Sequence, residues 1–415
     1  MNVMHGRCAG LDVHKESISA CVLIASKGKR KSVQVERQTF GTLTGDLEEL
    51  KQWLQHWRVT HVALESTGVY WRPVWNILEG GSYEMILVNP QHFRSVPGRK
   101  TDQKDCEWLA QLLQHGLVRS SFVPAQETRE LRDLTRYRVK LMQERNRVHN
   151  RIEKVLQDAN LKLSSVVSDI WGATGRAILT AILQGERDPE RLAAYAKGRL
   201  RQKKAQLKLA LCGRLTAHHM FLLRELTDDL SYLELKIARL EQVIQAQLWP
   251  HMEVVYRLCT IPGVYWKTAC SLIAELGLDM AQFPDADHLA SWAGLCPGAC
   301  ESAGKRKRAR TRKGNPHVRR ALCEAAWAAT RSKRSYLCAL FHRVSARSGR
   351  KKALIAVARR LIIIAYHLIR GTHGYRERGA NYFDTLRPQR TAHRLLQRLR
   401  DLGHEVILCP KPELQ

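Results

Sequence analysis

The sequence predicts an α/β N-terminal domain, followed by coiled-coil helices and a mostly α-helical C-terminal domain. Strand-like and helix-like segments alternate over residues 1–127, which is typical of an α/β layer with a parallel or mixed sheet. Further along, apolar residues recur every three or four positions through charged stretches, a spacing that indicates coiled-coil helices. The length of 415 residues favours two or three structural units over a single one.

Five segments make up the predicted N-terminal domain, and each is strand-like or helical. Cys8 to Ala25 is rich in small and β-branched residues and predicts strand structure, whereas Leu43 to Trp57 has helical periodicity. His61 to Glu65 and Tyr83 to Asn89 predict two further short strands. A second helix is expected over Asp102 to His115.

Two heptad patterns predict a coiled-coil helical region over residues 128–250, with a basic insert at 161–225. In the first helix, apolar residues stand at every seventh position, namely Leu134, Leu141, Val148 and Val155. In the second helix they step by 4, 3, 4, 3 and 4, namely Leu226, Leu230, Leu233, Ile237, Leu240 and Ile244. The two helices are expected to pair either antiparallel within one chain or with a second subunit, and the spacing does not choose between these arrangements.

The charge of the chain favours a nucleic-acid partner. Lys and Arg total 68 against 39 Asp and Glu, for a formal net charge of +29, which points to nucleic acid or an anionic membrane. A membrane partner is disfavoured because the most apolar stretch, Ala353 to Ile369, contains Arg359 and Arg360. The eleven cysteines lack the spacing of a disulfide framework or a zinc site, so we expect a cytoplasmic protein.

The predicted C-terminal helical domain spans residues 251–370, and residues 371–415 form a basic tail. Its turn Ile261-Pro262-Gly263-Val264 resembles that of a helix-hairpin-helix, which aims backbone N–H groups at phosphate, although Pro-Gly turns before helices are common. From Lys305 to Lys313, seven of nine residues are basic, which predicts a phosphate-neutralising loop or arm. The expected nucleic-acid-binding residues are Lys305, Arg306, Lys307, Arg308, Arg310, Arg312, Lys313, Arg319 and Arg320.

Four carboxylates form the candidate catalytic and metal-binding site. Asp12 and Glu65 each end an apolar strand-like run, and Asp102 and Asp105 are three apart at the start of a helix, on one face. Neighbouring strands and a helix end would bring the four around one or two Mg²⁺ ions, the usual cations of phosphoryl chemistry. The alternatives are that Asp102 caps its helix and that Asp12 and Glu65 are surface carboxylates.

The motifs around these carboxylates resemble the N-terminal domain of the DEDD-type insertion-sequence transposases, the bridge-RNA-guided recombinases. The matching stretches are Gly10-Leu11-Asp12-Val13-His14-Lys15, Glu65-Ser66-Thr67-Gly68 with Tyr70 and Trp71, Asn89-Pro90 and Lys100-Thr101-Asp102-Gln103-Lys104-Asp105. The resemblance implies a RuvC-like domain with the ribonuclease-H fold. It also implies that Asp12, Glu65, Asp102 and Asp105 are the family's catalytic metal ligands.

The C-terminal domain carries a second part of the resemblance. The matching stretches are Pro262-Gly263, Ala293-Gly294-Leu295, Ser302, Gly314-Asn315 and Arg319-Arg320. By chemistry alone Ser302 is a loop serine, because no base stands near it in the sequence to activate the hydroxyl. In the family, the serine that matches Ser302 is catalytic and bonds covalently to DNA, in an active site completed by acidic residues of another subunit.

Together with the resemblance, these features predict a transposase or recombinase of an insertion sequence that cleaves and exchanges DNA strands, and the resemblance implies that an RNA guides it. The resemblance implies as partners the element ends and target DNA, a structured guide RNA, and a homo-oligomer that is a dimer or a dimer of dimers. Two alternatives stay open. A metal-dependent Holliday-junction-type nuclease would use the same carboxylates with water as the nucleophile, and a non-catalytic nucleic-acid-binding protein would need none of them.

Overall fold

A computed structural model describes residues 3–25, 33–65, 68–89, 102–298, 301–302, 305–306, 311 and 313–406. For residues 102–104, 301–302 and 305–306 it describes the backbone alone. The chain divides into two compact units, which we call the N-terminal unit (Met1–Gln126) and the C-terminal unit (Glu127–Gln415). None of the described helices combines the length and the hydrophobicity needed to cross a bilayer.

The N-terminal unit is built on a mixed six-stranded sheet. Its strands are β1 (Arg7–Val13), β2 (Ile18–Ala25), β3 (Val33–Phe40), β4 (His61–Glu65), β5 (Glu84–Val88) and β6 (Ser120–Ser121), and its helices are α1 (Thr44–His56), α2 (Trp71–Leu78) and α3 (Asp102–Gln114). The strand order is β3-β2-β1-β4-β5-β6. The first three strands pair antiparallel, β1, β4 and β5 pair parallel, and β6 runs antiparallel to β5. This arrangement is consistent with the predicted ribonuclease-H-like α/β domain.

Side-chain alternation along β1 separates the two faces of the sheet. Ala9 and Leu11 belong to a buried cluster with leucines of α1 and α2, whereas Cys8 belongs to a second cluster with Ala110 and other residues of α3. Successive side chains of a strand point to opposite faces. Even-numbered β1 residues therefore face α3, and odd-numbered ones face α1 and α2.

The C-terminal unit is almost entirely helical. Its helices are α4 (Gln126–Asp158), α5 (Leu163–Val166), α6 (Ala173–Leu183), α7 (Pro189–Ala194), α8 (Lys204–Ala210), α9 (Ala217–Leu248), α10 (Met252–Cys259), α11 (Trp266–Leu276), α12 (Ala286–Trp292), α13 (Pro316–Ala329), α14 (Tyr336–Ser348), α15 (Arg350–Arg370), α16 (Tyr382–Thr385) and α17 (Pro388–Asp401), with short 3₁₀ turns at Gly198–Lys203 and Trp249–His251. Two short strands, β7 (Glu301–Ser302) and β8 (Lys305–Arg306), form an antiparallel hairpin.

The long helices α4 and α9 run antiparallel within the chain. Near one end Arg138 Nη2 lies 2.7 Å from Glu241 Oε1, and near the other His219 Nε2 lies 2.9 Å from Asp158 Oδ2. Along the predicted apolar row of α9, Leu230, Ile237 and Ile244 are buried, while Leu226, Leu233 and Leu240 are half-buried. The structure thus selects the intrachain pairing that the heptads left open, and a supercoil of the two helices remains a prediction.

Two apolar clusters hold the C-terminal unit together. One joins the second half of α4, the helices α5 to α8 and the first half of α9. The other joins α10 to α15 and the ends of α4 and α9 that lie beside them. The second cluster includes α12 and α13, the helices that precede and follow the β7-β8 hairpin in the chain. Ser302 belongs to this hairpin.

Candidate active site

Strand register brings Asp12 and Glu65 to neighbouring positions at one edge of the sheet. In the parallel pairing of β1 with β4, Leu11 lies opposite Leu64, so Asp12 and Glu65 follow at the next step of each strand. Asp12 has the parity of Cys8, and Glu65 has that of Ala63, which lies in the α3-facing cluster. Both carboxylates therefore face α3 at the carboxyl ends of parallel strands, where ligands of α/β sheets characteristically bind.

Gly10 allows α3 to lie directly on β1. A Cβ added at Gly10 would overlap the carbonyl oxygen of Cys106 and lie 2.6 Å from the backbone nitrogen of Ala110. Both of these atoms belong to the backbone of α3, which cannot yield without moving the helix. The absence of a side chain at Gly10 therefore sets the distance between β1 and α3, and with it the position of Asp105 at the start of that helix.

Three of the four predicted carboxylates line one small pocket. The pocket measures about 10 Å³, room for about one water molecule or ion, and is lined by Leu11, Asp12, Glu65, Val88, Asp105 and Leu109. Asp102 begins α3, but its side chain lies outside the described residues. Among the described residues, no three His, Cys, Asp or Glu side chains are close enough together to hold a metal ion as they stand. A cation would have to draw the three carboxylates closer together.

The surroundings of Asp12 raise the pKa of its carboxyl group. Burial raises its pKa, and the charges of Asp105 and Glu65 raise it further, whereas the charge and the hydrogen bond of His14 act in the opposite direction. The Asp12 side chain is only 14% exposed. Mutually repelling carboxylates in a partly buried site are the arrangement that a divalent cation relieves.

His14 is a site residue whose role the sequence reasoning did not identify. Its Nε2 lies 3.1 Å from Asp12 Oδ2, and its side chain is 57% exposed. His14 directly follows the last residue of β1, Val13, so strand alternation does not predict where its side chain lies. The contact itself links His14 to the orientation of the Asp12 carboxylate.

Ser302 lies in the β7-β8 hairpin of the C-terminal unit, paired in register with Lys305, while Glu301 pairs with Arg306. Of the predicted basic residues that follow, Lys307, Arg308, Arg310 and Arg312 lie outside the described residues. Lys313 and Arg320 are exposed and Arg319 is half-buried.

The two ends of the segment that carries Ser302 are fastened together. An isolated bridge joins Pro297 to Thr311, and a Cβ at Gly314 would overlap the backbone nitrogen of Gly294. Arg319 donates to the Gly294 carbonyl (3.2 Å) and to Thr311 Oγ1 (3.0 Å). Arg319, a predicted phosphate-binding residue, therefore also has a structural role, because its guanidinium group links the two ends of this segment.

The sequence analysis did not identify Glu275, a buried carboxylate that contacts Asn315. Glu275, 2% exposed, accepts hydrogen bonds from Arg136 Nε (2.7 Å), Arg136 Nη2 (2.9 Å) and Asn315 Nδ2 (2.7 Å). Arg132 Nε lies 3.5 Å from Glu275 Oε2. Burial alone would raise the pKa of Glu275, but the hydrogen bonds from Arg136 and Asn315 and the arginine charges outweigh it, so the pKa is lowered.

Asn315 connects Glu275 to the start of α13. Its side-chain oxygen accepts hydrogen bonds from the backbone N–H groups of His317 and Val318, which is an N-terminal helix cap. Because its amide nitrogen is held by Glu275, the cap is fixed in one orientation. The residue pair Gly314-Asn315 contributed to the resemblance, and both residues also have structural roles in this fold.

Beside Glu275 a cavity of about 250 Å³ opens between α4, α11 and α13. Its lining includes the cationic side chains of Arg136, Arg138, Lys267 and Arg320. Burial lowers the pKa of His317 in the same wall, and the charge of Arg136 lowers it further. Glu275 and Glu324 also line the cavity, so its charged side chains comprise four cations and two carboxylates, and positive charge is in excess.

Comparison with known proteins identifies the family of this chain. A family model of a transposase, the DEDD type of IS110, matches residues 9–161, and a model described as "Transposase IS116/IS110/IS902 family" matches residues 255–342. A Pseudomonas aeruginosa protein named "Probable family 20 transposase" is 26% identical over 274 residues, 65% of this chain and 71% of that protein. A Sinorhizobium fredii protein named as transposase y4qE is 22% identical over 324 residues, 77% of this chain and 70% of that protein. The two matched ranges together span more than half of the sequence, and the chain belongs to the IS110 family of DEDD transposases.

Proposed function

We propose that this transposase cleaves and rejoins DNA with Mg²⁺ held by Asp12, Glu65, Asp102 and Asp105 and with Ser302 as the nucleophile. Transposases as a class cut and rejoin DNA, and the proposal concerns how this chain does so. The supporting observation is that Asp12, Glu65 and Asp105 line one pocket at the carboxyl ends of β1 and β4. When bound there, Mg²⁺ would supply positive charge against the oxygens of the scissile phosphate.

In the proposed reaction the Ser302 hydroxyl attacks the scissile phosphorus. A bond forms between Oγ and phosphorus, the bond from phosphorus to one sugar oxygen breaks, and the serine proton ends on the displaced oxygen. A freed sugar hydroxyl then attacks the phosphoserine, restores Ser302 and joins the exchanged strands. The cations of Lys305, Arg306 and Lys313 would offset the charge that develops on the phosphate.

The carboxylates and Ser302 belong to the N-terminal and C-terminal units, respectively. We propose, as the family resemblance implies, that different subunits of a homo-oligomer contribute them to one active site. A structured RNA would select the DNA sequence through base pairing. The net charge of +29 and the electropositive cavity between α4, α11 and α13 support such a polyanionic partner.

A covalent adduct tests this proposal. Wild-type protein incubated with Mg²⁺, the element ends and the cognate RNA is expected to yield a protein-DNA adduct that survives denaturing electrophoresis. Ser302→Ala should yield none, because no other hydroxyl would occupy the attacking position. Ser348→Ala, a change of an exposed serine on α14, is the matched control and should leave the adduct unchanged.

Each other outcome of this assay has a defined meaning. Strand cleavage that persists in Ser302→Ala would support the nuclease alternative, with water as the nucleophile. Adduct formation by Ser302→Ala would disprove the nucleophile assignment. Adduct formation that is unaffected by omitting the RNA would disprove RNA guidance and leave the rest of the proposal standing.

Magnesium is expected to stabilise the folded protein through Asp12. Without Mg²⁺, Asp12→Asn should be more stable than wild type by about 1 kcal/mol, because it removes a partly buried charge that two carboxylates repel. Millimolar Mg²⁺ should raise the Tm of wild type and have no effect on Asp12→Asn, which differential scanning fluorimetry can measure. Glu16→Gln, which removes an exposed carboxylate (87% exposed) with the same change in charge, is the control.

The stability difference between Asp12→Asn and wild type should also depend on pH. The pKa of Asp12 is raised in the folded protein, so protonation favours the folded state and the wild type loses stability as the pH rises through that pKa. The advantage of Asp12→Asn should therefore be largest near neutral pH and disappear in acid. An advantage that grows as the pH falls would contradict the raised pKa.

A further inference from the structure

A large cavity lies in the C-terminal unit, and all of its lining residues except Tyr336 lie beyond the residues that the family models match. It has a volume of about 680 Å³ and is lined by residues of α15, the first residue of α14 and the segment from Gly374 to Tyr382. This volume falls within the range of small-ligand sites. Neither the carboxylates nor Ser302 contributes to it, so the proposed reaction gives it no role.

The segment that walls this cavity is fastened to the helical domain. The backbone N–H of Tyr375 donates to Thr260 Oγ1 at 2.7 Å. Glu377 Oε1 accepts hydrogen bonds of 2.8 Å from the backbone N–H groups of Tyr336 and Gly379. The wall is therefore held at both its start and its middle, and the cavity has a defined shape.

Aromatic rings and guanidinium groups alternate around the cavity. The Arg378 guanidinium lies 5.2 Å from the centre of the Tyr382 ring and 5.8 Å from that of Tyr336, and Arg360 lies 6.0 Å from the Tyr336 ring. These distances are those of cation-π contacts. Ile363, Ile364 and Leu368 of α15 add apolar lining.

The charge of the cavity favours an anionic ligand. Arg360, Arg376 and Arg378 line it, against the single carboxylate of Glu377. That carboxylate already accepts two backbone hydrogen bonds and lies 3.4 Å from the Tyr375 hydroxyl. Burial and the nearby Glu377 raise the pKa of Tyr375, so its hydroxyl keeps its proton and remains a hydrogen-bond donor.

We propose that this cavity binds single-stranded nucleic acid, with an unpaired base against the Tyr and Arg side chains and the backbone phosphate against the arginines. Stacked aromatic and guanidinium planes are the usual platform for unpaired bases, and they accept any base because each has a flat face. The arginines of the lining would contact the phosphate of one nucleotide, and the apolar and aromatic residues would contact its base. This site extends the proposed function, since it would hold a strand whether or not cleavage occurs.

Photo-crosslinking locates the bound strand directly. The probes are 20-nucleotide oligo-dT and oligo-U strands in which one base is a 5-iodouracil, added to the full-length wild-type protein. After irradiation, peptide mass spectrometry is expected to find the crosslinked base on Tyr375 or Tyr382. Crosslinks confined to other parts of the chain would overturn the proposal, and a difference between the two probes would show whether DNA or RNA is preferred.

Affinity measurements separate base stacking from phosphate binding. Tyr382→Leu is expected to weaken binding of labelled oligo-dT about 10-fold, within the range reported for loss of one base-aromatic stack, whereas Tyr382→Phe should bind like wild type. A strand of abasic sites with the same phosphates should not distinguish Tyr382→Leu from wild type. Equal weakening for both strands, or none for either, would contradict the stacking role.

The arginine contribution has its own matched pair of variants. Arg376→Gln removes a charge from the cavity without removing a ring, and Arg350→Gln removes the same charge from the exposed start of α15. We expect only Arg376→Gln to weaken binding and to reduce its salt dependence. Strand cleavage that is lost through Ser302→Ala should leave this binding intact, so failure of the proposed reaction and failure of this site are distinguishable.

Discussion

Gly10→Ala is expected to destabilise the N-terminal unit by about 3 kcal/mol, at the upper end of the cost of overpacking a core. The added methyl group would overlap the backbone of Cys106 and crowd that of Ala110. A flexible side chain could turn away from such a contact, but a helix backbone can only shift as a whole. Urea unfolding followed by circular dichroism measures the loss.

The same substitution is expected to reduce strand cleavage more than its effect on stability explains. When α3 moves away from β1, Asp105 moves away from Asp12, and the carboxylates no longer share one pocket. Gly45→Ala is the matched control, because a Cβ at Gly45 meets nothing within 4 Å and alanine favours the helix α1 that contains it. If Gly10→Ala were as stable and active as Gly45→Ala, the close packing of α3 on β1 would not govern the site.

Glu275→Gln is expected to destabilise the C-terminal unit by about 3 kcal/mol. Glu275 compensates the charges of Arg132 and Arg136 in a buried position, and removing one partner of a buried ion pair leaves the other charges uncompensated. Glutamine keeps the shape of the side chain and one acceptor oxygen, so the loss reports mainly on charge. Chemical denaturation of the two proteins under the same conditions measures it.

An exposed ion pair of the same unit provides the control. Glu253 pairs with Arg257 at 2.7 Å but is 81% exposed, and Glu253→Gln should cost about 0.5 kcal/mol. Equal losses of unfolding free energy in the two variants would show that the buried charge of Glu275 stabilises the fold no more than an exposed one does.

The effect of Glu275→Gln should also diminish in acid. The pKa of Glu275 is lowered from its ordinary value of 4.5, so its stabilising contribution is complete above that value and is lost as the pH falls through the lower, folded-state pKa. The stability difference between wild type and variant should be constant near neutral pH and shrink below about 4.5. Constancy down to strongly acid pH would argue against ionisation of Glu275 in the folded protein.

Local patterns predicted the elements that are apolar and regular. The strands around Asp12 and Glu65 and the helices α1 and α3 lie where alternation and helical periodicity indicated. The strand β3 was not recognised, because its residues from Val33 to Phe40 are largely polar and exposed. The helix α2 was missed because it is only eight residues long, too short for a clear helical period.

The sequence by itself determined that the chain begins as an α/β domain and that acidic residues stand at strand ends and at a helix start. It also determined the family, because the matching motifs are local in sequence. Tertiary structure alone decided that α4 pairs with α9 in the same chain, that Gly10 brings Asp105 to Asp12, and that Glu275 holds Arg136 and Asn315. Such contacts join residues far apart in the chain, and their energies depend on burial and orientation, which appear only once the helices and strands have packed.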